Sequence, residues 1–191
     1  MLLAFAAVSC GSKDADPSPT PAADPAMELT MTRTQDFLGT TAAMGITYTH
    51  VTMLGRGAFT PQELSLYFAP KEGLDAISFL IAADKLTAGV LGTYSLKSQP
   101  DPNPGAVTTR YTLYSKNTTG SSAGVIYGSS WNIMLGELKI TSYDASRRLI
   151  SGSYSLQMDN LPNPFDGGVN NTEKEHCNLK VTGTFTHVKL E

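Results

Sequence analysis

Two cysteines, three histidines and one tryptophan are all that this 191-residue chain holds of the residue types that most often carry thiol, metal or stacking chemistry. So few cysteines exclude a disulfide framework. His50, His176 and His187 lie far apart in the chain, without the close pairing of a histidine or cysteine metal motif, so no metal and no cofactor is expected. Charge is also scarce: 16% of residues are charged and the net charge is −3. A chain without a basic footprint does not fit nucleic acid, nor a polybasic membrane face. Apolar runs are short of the roughly 20 residues that a spanning helix needs. Seventeen glycines and eleven prolines leave little room for long helices.

What is present begins with an apolar run, Leu2–Val8, followed by Ser9-Cys10-Gly11. The run falls at the low end of the hydrophobic part of a secretory signal, about 7–15 residues. Ala7-Val8-Ser9-Cys10 fits the small-residue box of a bacterial lipoprotein leader, with Cys10 placed to carry the lipid. The expected organisation is therefore a signal peptide over 1–9, a lipidated Cys10 with a Pro-rich tether to 26, and one domain over 27–191. The tether holds four prolines between residues 11 and 26 and no large apolar side chain. Such a segment cannot offset its ordering entropy by burial. In the polyproline form it reaches on the order of 50 Å. Lys13-Asp14-Ala15-Asp16 resembles the charged export tag of surface lipoproteins. The expected location is the bacterial outer membrane, periplasmic or cell-surface facing, with the membrane reached through lipid on Cys10. Lipidation there leaves Cys177 alone, and it reads as a partly buried residue opening the last strand.

The body alternates with a period of two, the mark of half-buried strands. Leu64, Leu66 and Phe68 alternate with Glu63, Ser65 and Tyr67; Ile77, Phe79 and Ile81 form a face; Tyr111 and Leu113 another; Leu138 and Ile140 a fourth. Ile150, Gly152, Tyr154, Leu156 and Met158 form the longest. In the last run Leu179, Val181 and Phe185 give way to Val188 and Leu190, which predicts a bulge or a switch of sheet. Turn residues at Gly55–Gly57, Pro100–Gly105, Asn117–Gly124, Asp144–Arg147 and Pro162–Asn171 separate the runs. Thr60-Pro61-Gln62-Glu63 carries a helix-start pattern, but the alternation after it favours strand. Short helical turns are expected in Asp36–Met44 and Ala82–Ala88. The fold class is all-β, a single antiparallel sandwich, with a closed barrel as the alternative.

Glycine followed by hydroxyl, aromatic and hydroxyl recurs at Gly92–Ser95, Gly152–Ser155 and Gly183–Thr186, marking equivalent positions in one sandwich. GTYSL at 92–96, GELKITSYDASRRLISGSYSLQM at 136–158 and LKVTGTFTHVKL at 179–190 resemble the C-terminal half of small Bacteroidota lipoproteins, a domain of unknown function. The resemblance spans about residues 90–190; residues 27–60 match poorly and lack the family's Gly-x-x-Trp motif. It implies a β-sandwich and transfers no catalytic residue.

Other motifs carry less. Gly120-Ser121-Ser122-Ala123-Gly124 has the spacing of a nucleophile elbow but lies in a loop of an all-β chain, without strand–turn–helix context. The oxygen-rich loop Asp159–Gly168 lacks the closing Glu of a calcium loop. Glu72, Asp75 and Glu137 can be paired as glycosidase carboxylates only by spatial separation. Trp131 and Tyr127, four residues apart, are the speculative ligand-binding pair: exposed together they would offer a stacking platform to a sugar ring. With no catalytic residue singled out, the reading is a non-enzymatic binding or structural module. A lipocalin-like barrel for a small apolar ligand and a carbohydrate-binding module are the alternatives, and the glycan or protein partner stays open. Recognition is expected in the loops 98–107, 116–124 and 159–175.

Overall fold

The computed structural model describes residues 23–39, 41–73, 75–99, 105–116, 122–164 and 175–191. The leader, Cys10 and the tether up to residue 22 lie outside them, as do Gly120 and Ser121 and most of the three loops named above.

Among the described residues, eleven strands build two antiparallel sheets. In chain order they are β1 (Glu28–Phe37), β2 (Ala43–Thr49), β3 (Met53–Phe59), β4 (Glu63–Pro70), β5 (Asp75–Ala82) and β6 (Gly92–Ser95). They continue with β7 (Val107–Lys116), β8 (Ser122–Gly128), β9 (Leu135–Asp144), β10 (Leu149–Pro162) and β11 (His176–Lys189). One sheet has the order β2-β1-β11-β10-β9-β6 and the other β3-β4-β5-β7-β8. The fold is thus the expected sandwich. Neither sheet closes into the alternative barrel, and the space between them is filled by side chains such as Phe68, Phe79, Tyr111 and Phe185.

The core shows why glycine–hydroxyl–aromatic recurs. Gly152 pairs with Phe185 and Tyr154 with Gly183 across β10 and β11, so each glycine lies under the other motif's ring. A Cβ on Gly152 would sit 2.7 Å from the Phe185 ring. The rings then meet the opposite sheet: Phe68 stacks on Phe185 at 5.0 Å and on Tyr154 at 5.4 Å. Aromatic pairs at this spacing contribute about 0.5–1.5 kcal/mol beyond area burial.

At the end of β11 both anticipated devices occur. Thr186 and His187 face the single residue Ser151, a bulge with His187 at φ 53°. Leu190 then bridges Gly57 of the other sheet. A second inter-sheet bridge joins Leu96 to Val107. The Asp144 carboxylate organises the β9–β10 hairpin, accepting from the Ser146 and Arg147 amides at 3.0 Å and from Arg147 Nε at 2.8 Å.

Several expectations need correcting. Gly55–Gly57 is no turn but part of β3, where a Cβ on Gly55 would lie 2.9 Å from Leu29 and one on Gly57 would strike Leu190. Glycine here permits close approach rather than a change of direction. Gly124 likewise lies within β8. The described residues of Asp36–Met44 hold no helical turn, and β1 and β2 pair as a hairpin there, whereas Ala83–Lys85 is a 3-10 turn as expected. Thr60 Oγ1 does accept from the Gln62 and Glu63 amides, yet the cap serves the β3–β4 turn. Cys177 is fully buried, not partly.

Candidate functional site

Two clusters rich in arginine and tyrosine stand out, one between the sheets and one outside. The inner cluster is centred on Asp75 at the start of β5, 2% exposed. Its Oδ1 accepts from Arg33 Nε of β1 at 2.9 Å and from the Tyr111 hydroxyl of β7. Its Oδ2 accepts from the Tyr48 hydroxyl of β2 at 2.7 Å. Arg33 and Tyr48 belong to the six-stranded sheet, Asp75 and Tyr111 to the other, so the carboxylate clasps the layers together. Burial, then the Asp75 charge, pushes the Tyr111 phenol far above its ordinary value. Gln35 extends the network, donating to Cys177 Sγ at 3.3 Å; burial pushes that thiol upward. Asp75, weighed above as a possible catalytic carboxylate, is committed to holding the sheets, while Glu72 and Glu137 are exposed.

The outer cluster contains Trp131, which follows β8 and is 56% exposed. Its ring lies over Gly128: a Cβ there would meet the indole at 2.6 Å. Side chains on Gly128's face of the five-stranded sheet point away from the core. Trp131 and Tyr127 therefore do not make an exposed pair. Tyr127 points inward, 5% exposed, and stacks on Tyr111 at 6.2 Å; burial pushes its phenol up to about 12. Alternation explains the split, because Tyr127 and Gly128 are adjacent in a strand and face opposite sides. Both still border one cleft of about 320 Å³, walled by Ile126, Asn132 and Pro162–Pro164.

The register carries the outer cluster across the whole sheet. Arg56 pairs with Tyr67, Tyr67 with Ser78, Ser78 with Arg110 and Arg110 with Gly128. One row on the outer face thus reads Arg, Tyr, Ser, Arg and then the indole over Gly128. A second depression of about 270 Å³, open to solvent, lies at the other end of the row against Arg56, Tyr67 and Ser78. None of these partners of Trp131 was singled out from sequence. The usable signal was the outward half of each alternation, where Tyr67 and Arg110 sit among serines and threonines.

The histidines are dispersed. His50 lies in an exposed 3-10 turn rather than a strand, His176 meets Asn160 at 2.7 Å, and His187 meets the Ala26 carbonyl at 3.1 Å. No family model, curated protein or solved structure matches the chain.

Proposed function

We propose that this chain is a lipid-anchored protein of the bacterial outer membrane whose β-sandwich is a non-enzymatic, carbohydrate-binding module. The supporting observation is Trp131, the sole tryptophan, held over Gly128 with more than half its surface open beside a cleft. A large aromatic ring left 56% exposed forgoes part of the roughly 1.5–3 kcal/mol that full burial of a large apolar side chain contributes. Sugar rings present apolar C–H faces that fit such a ring, and Asn132 lies in the same cleft wall.

The anchor reading rests on the leader and on Cys10. It is consistent with the way the chain enters the body: Asp24 is held by Lys189 at 2.8 Å, at the Leu149 end of β10. The cleft borders Pro162, the other end of that 14-residue strand, on the order of 40 Å away. A tether leaving the first end would keep the cleft clear of the headgroups.

Because Trp131 is the only indole, its fluorescence reports on the cleft alone. Titration with oligosaccharides is expected to shift its emission, and Trp131→Ala to abolish binding while leaving the thermal melt unchanged. Emission unmoved by every sugar would overturn the carbohydrate reading. Cys10→Ser should move the protein from the membrane to the soluble fraction; continued sedimentation with membranes would count against the anchor.

A further inference from the structure

We infer that the outer face of the five-stranded sheet takes a linear acidic glycan, laid across the strands along the row Arg56, Tyr67, Ser78, Arg110 and Trp131. The inference rests on the carbohydrate reading and adds the charge of the ligand and the direction in which it lies.

Among the described residues neither Arg56 nor Arg110 takes part in a salt bridge, and both are exposed. The acidic residues nearest this row are Glu63, at the start of β4, and Glu191, which borders the Arg56 depression through its pairing with Gly57. Both acids sit at the margin. Between them and Trp131 the face presents Ser65, Tyr67, Ser78, Thr108 and Arg110, with no carboxylate. A guanidinium presents a planar fork of donors that matches a carboxylate or sulfate bidentately. Two such forks with no acid between them make a face complementary to an anion-bearing chain.

Strands lie about 4.8 Å apart, so the row from β3 to β8 extends about 19 Å. Tyr67 and the indole over Gly128 are three strands apart, about 14 Å, with Ser78 and Arg110 between them. Two aromatic surfaces separated by a hydroxyl and a cation suit an oligosaccharide, whose ring faces, hydroxyls and acid groups recur along one line. The two depressions, at Arg56–Tyr67–Ser78 and at Trp131, are the two ends of that line. A compact anion would need the arginines side by side, whereas they stand three strand spacings apart.

The test compares oligogalacturonate with its methyl ester, and a sulfated galactan oligosaccharide with its desulfated form. Trp131 emission and titration calorimetry are the readouts. At least one acidic member is expected to bind about tenfold more tightly than its neutral counterpart, with affinity falling as salt rises. Arg56→Gln and Arg110→Gln should each weaken the acidic ligand about tenfold and leave the neutral one unchanged. Tyr67→Ala should weaken both. Equal binding of acidic and neutral members would overturn the charge assignment while leaving the carbohydrate reading intact. Weakening by Trp131→Ala but not by Arg56→Gln or Tyr67→Ala would confine the site to the cleft and overturn the row. Silence across these four while another oligosaccharide shifts Trp131 emission would overturn the acidic row and leave the carbohydrate reading standing; silence across every sugar would overturn both.

Discussion

The inner and outer clusters both draw on arginine and tyrosine, but only the inner one is centred on a carboxylate. Inside, Arg33, Tyr48 and Tyr111 converge on Asp75, and the polar groups satisfy one another. Outside, Arg56, Tyr67 and Arg110 share a row with no acid among them. A buried charge without a partner is prohibitively costly, so the inner set must complete itself within the fold. The outer set is exposed to solvent, and under the proposed reading another molecule completes it. Residue type alone therefore does not separate a buried, self-satisfied cluster from an exposed one; the difference lies in whether the chain itself supplies the acid.

The sharpest way to break the comparison is to remove the acid. Asp75→Ala takes away the carboxylate that pairs with the buried Arg33, and should cost about 3–5 kcal/mol in urea denaturation. A loss under about 1 kcal/mol would mean that the clasp is not what holds the layers. Next in size is a matched pair of hydroxyl deletions. Tyr111→Phe removes a hydrogen bond to a charged group and should cost about 1.5–3 kcal/mol, whereas Tyr67→Phe should stay within about 0.5 kcal/mol.

Alkaline titration sharpens the contrast further. Burial raises the phenols of Tyr111, Tyr154 and Tyr127, the last to about 12, above the value of about 10 expected in an unfolded chain. Between those limits the unfolded chain releases protons that the folded chain keeps, so stability should fall as pH rises above about 10. Denaturation midpoints that stay level from about pH 9 to pH 11 would contradict this. The smallest effect concerns Asp144, whose bonds to Ser146 and Arg147 hold its carboxyl well below the usual range. It should stay ionised in acid that protonates an unperturbed carboxylate, with the hairpin loosening only at lower pH. Carboxyl NMR shifts of Asp144 would show whether it does.

How much of this could be read from the chain depended on which way polar residues point. β10 was legible because Ile150, Tyr154, Leu156 and Met158 all face inward. β1 was not, because two of its inward positions are Arg33 and Gln35, which break the apolar period between Met31 and Phe37. β3 was hidden by glycines that normally signal turns but here admit Leu29 and Leu190. At the site, Trp131 was nameable as a lone large aromatic, whereas Tyr127 was misdirected because the local pattern did not reveal which face Gly128 and its neighbour present. Arg56, Tyr67, Ser78 and Arg110 are separated by at least eleven residues each and come together only through strand register. No local pattern records that alignment.

β1 has a mechanical consequence. It lies inside its sheet, paired along its length to β11 on one side and β2 on the other. Tension applied through the segment before Glu28 would run along the strand, at right angles to the hydrogen bonds of both ladders. In that shear geometry the bonds share the load together instead of peeling one by one. A domain pulled from its N-terminal side through such a strand would resist extraction far better than one suspended from an edge strand.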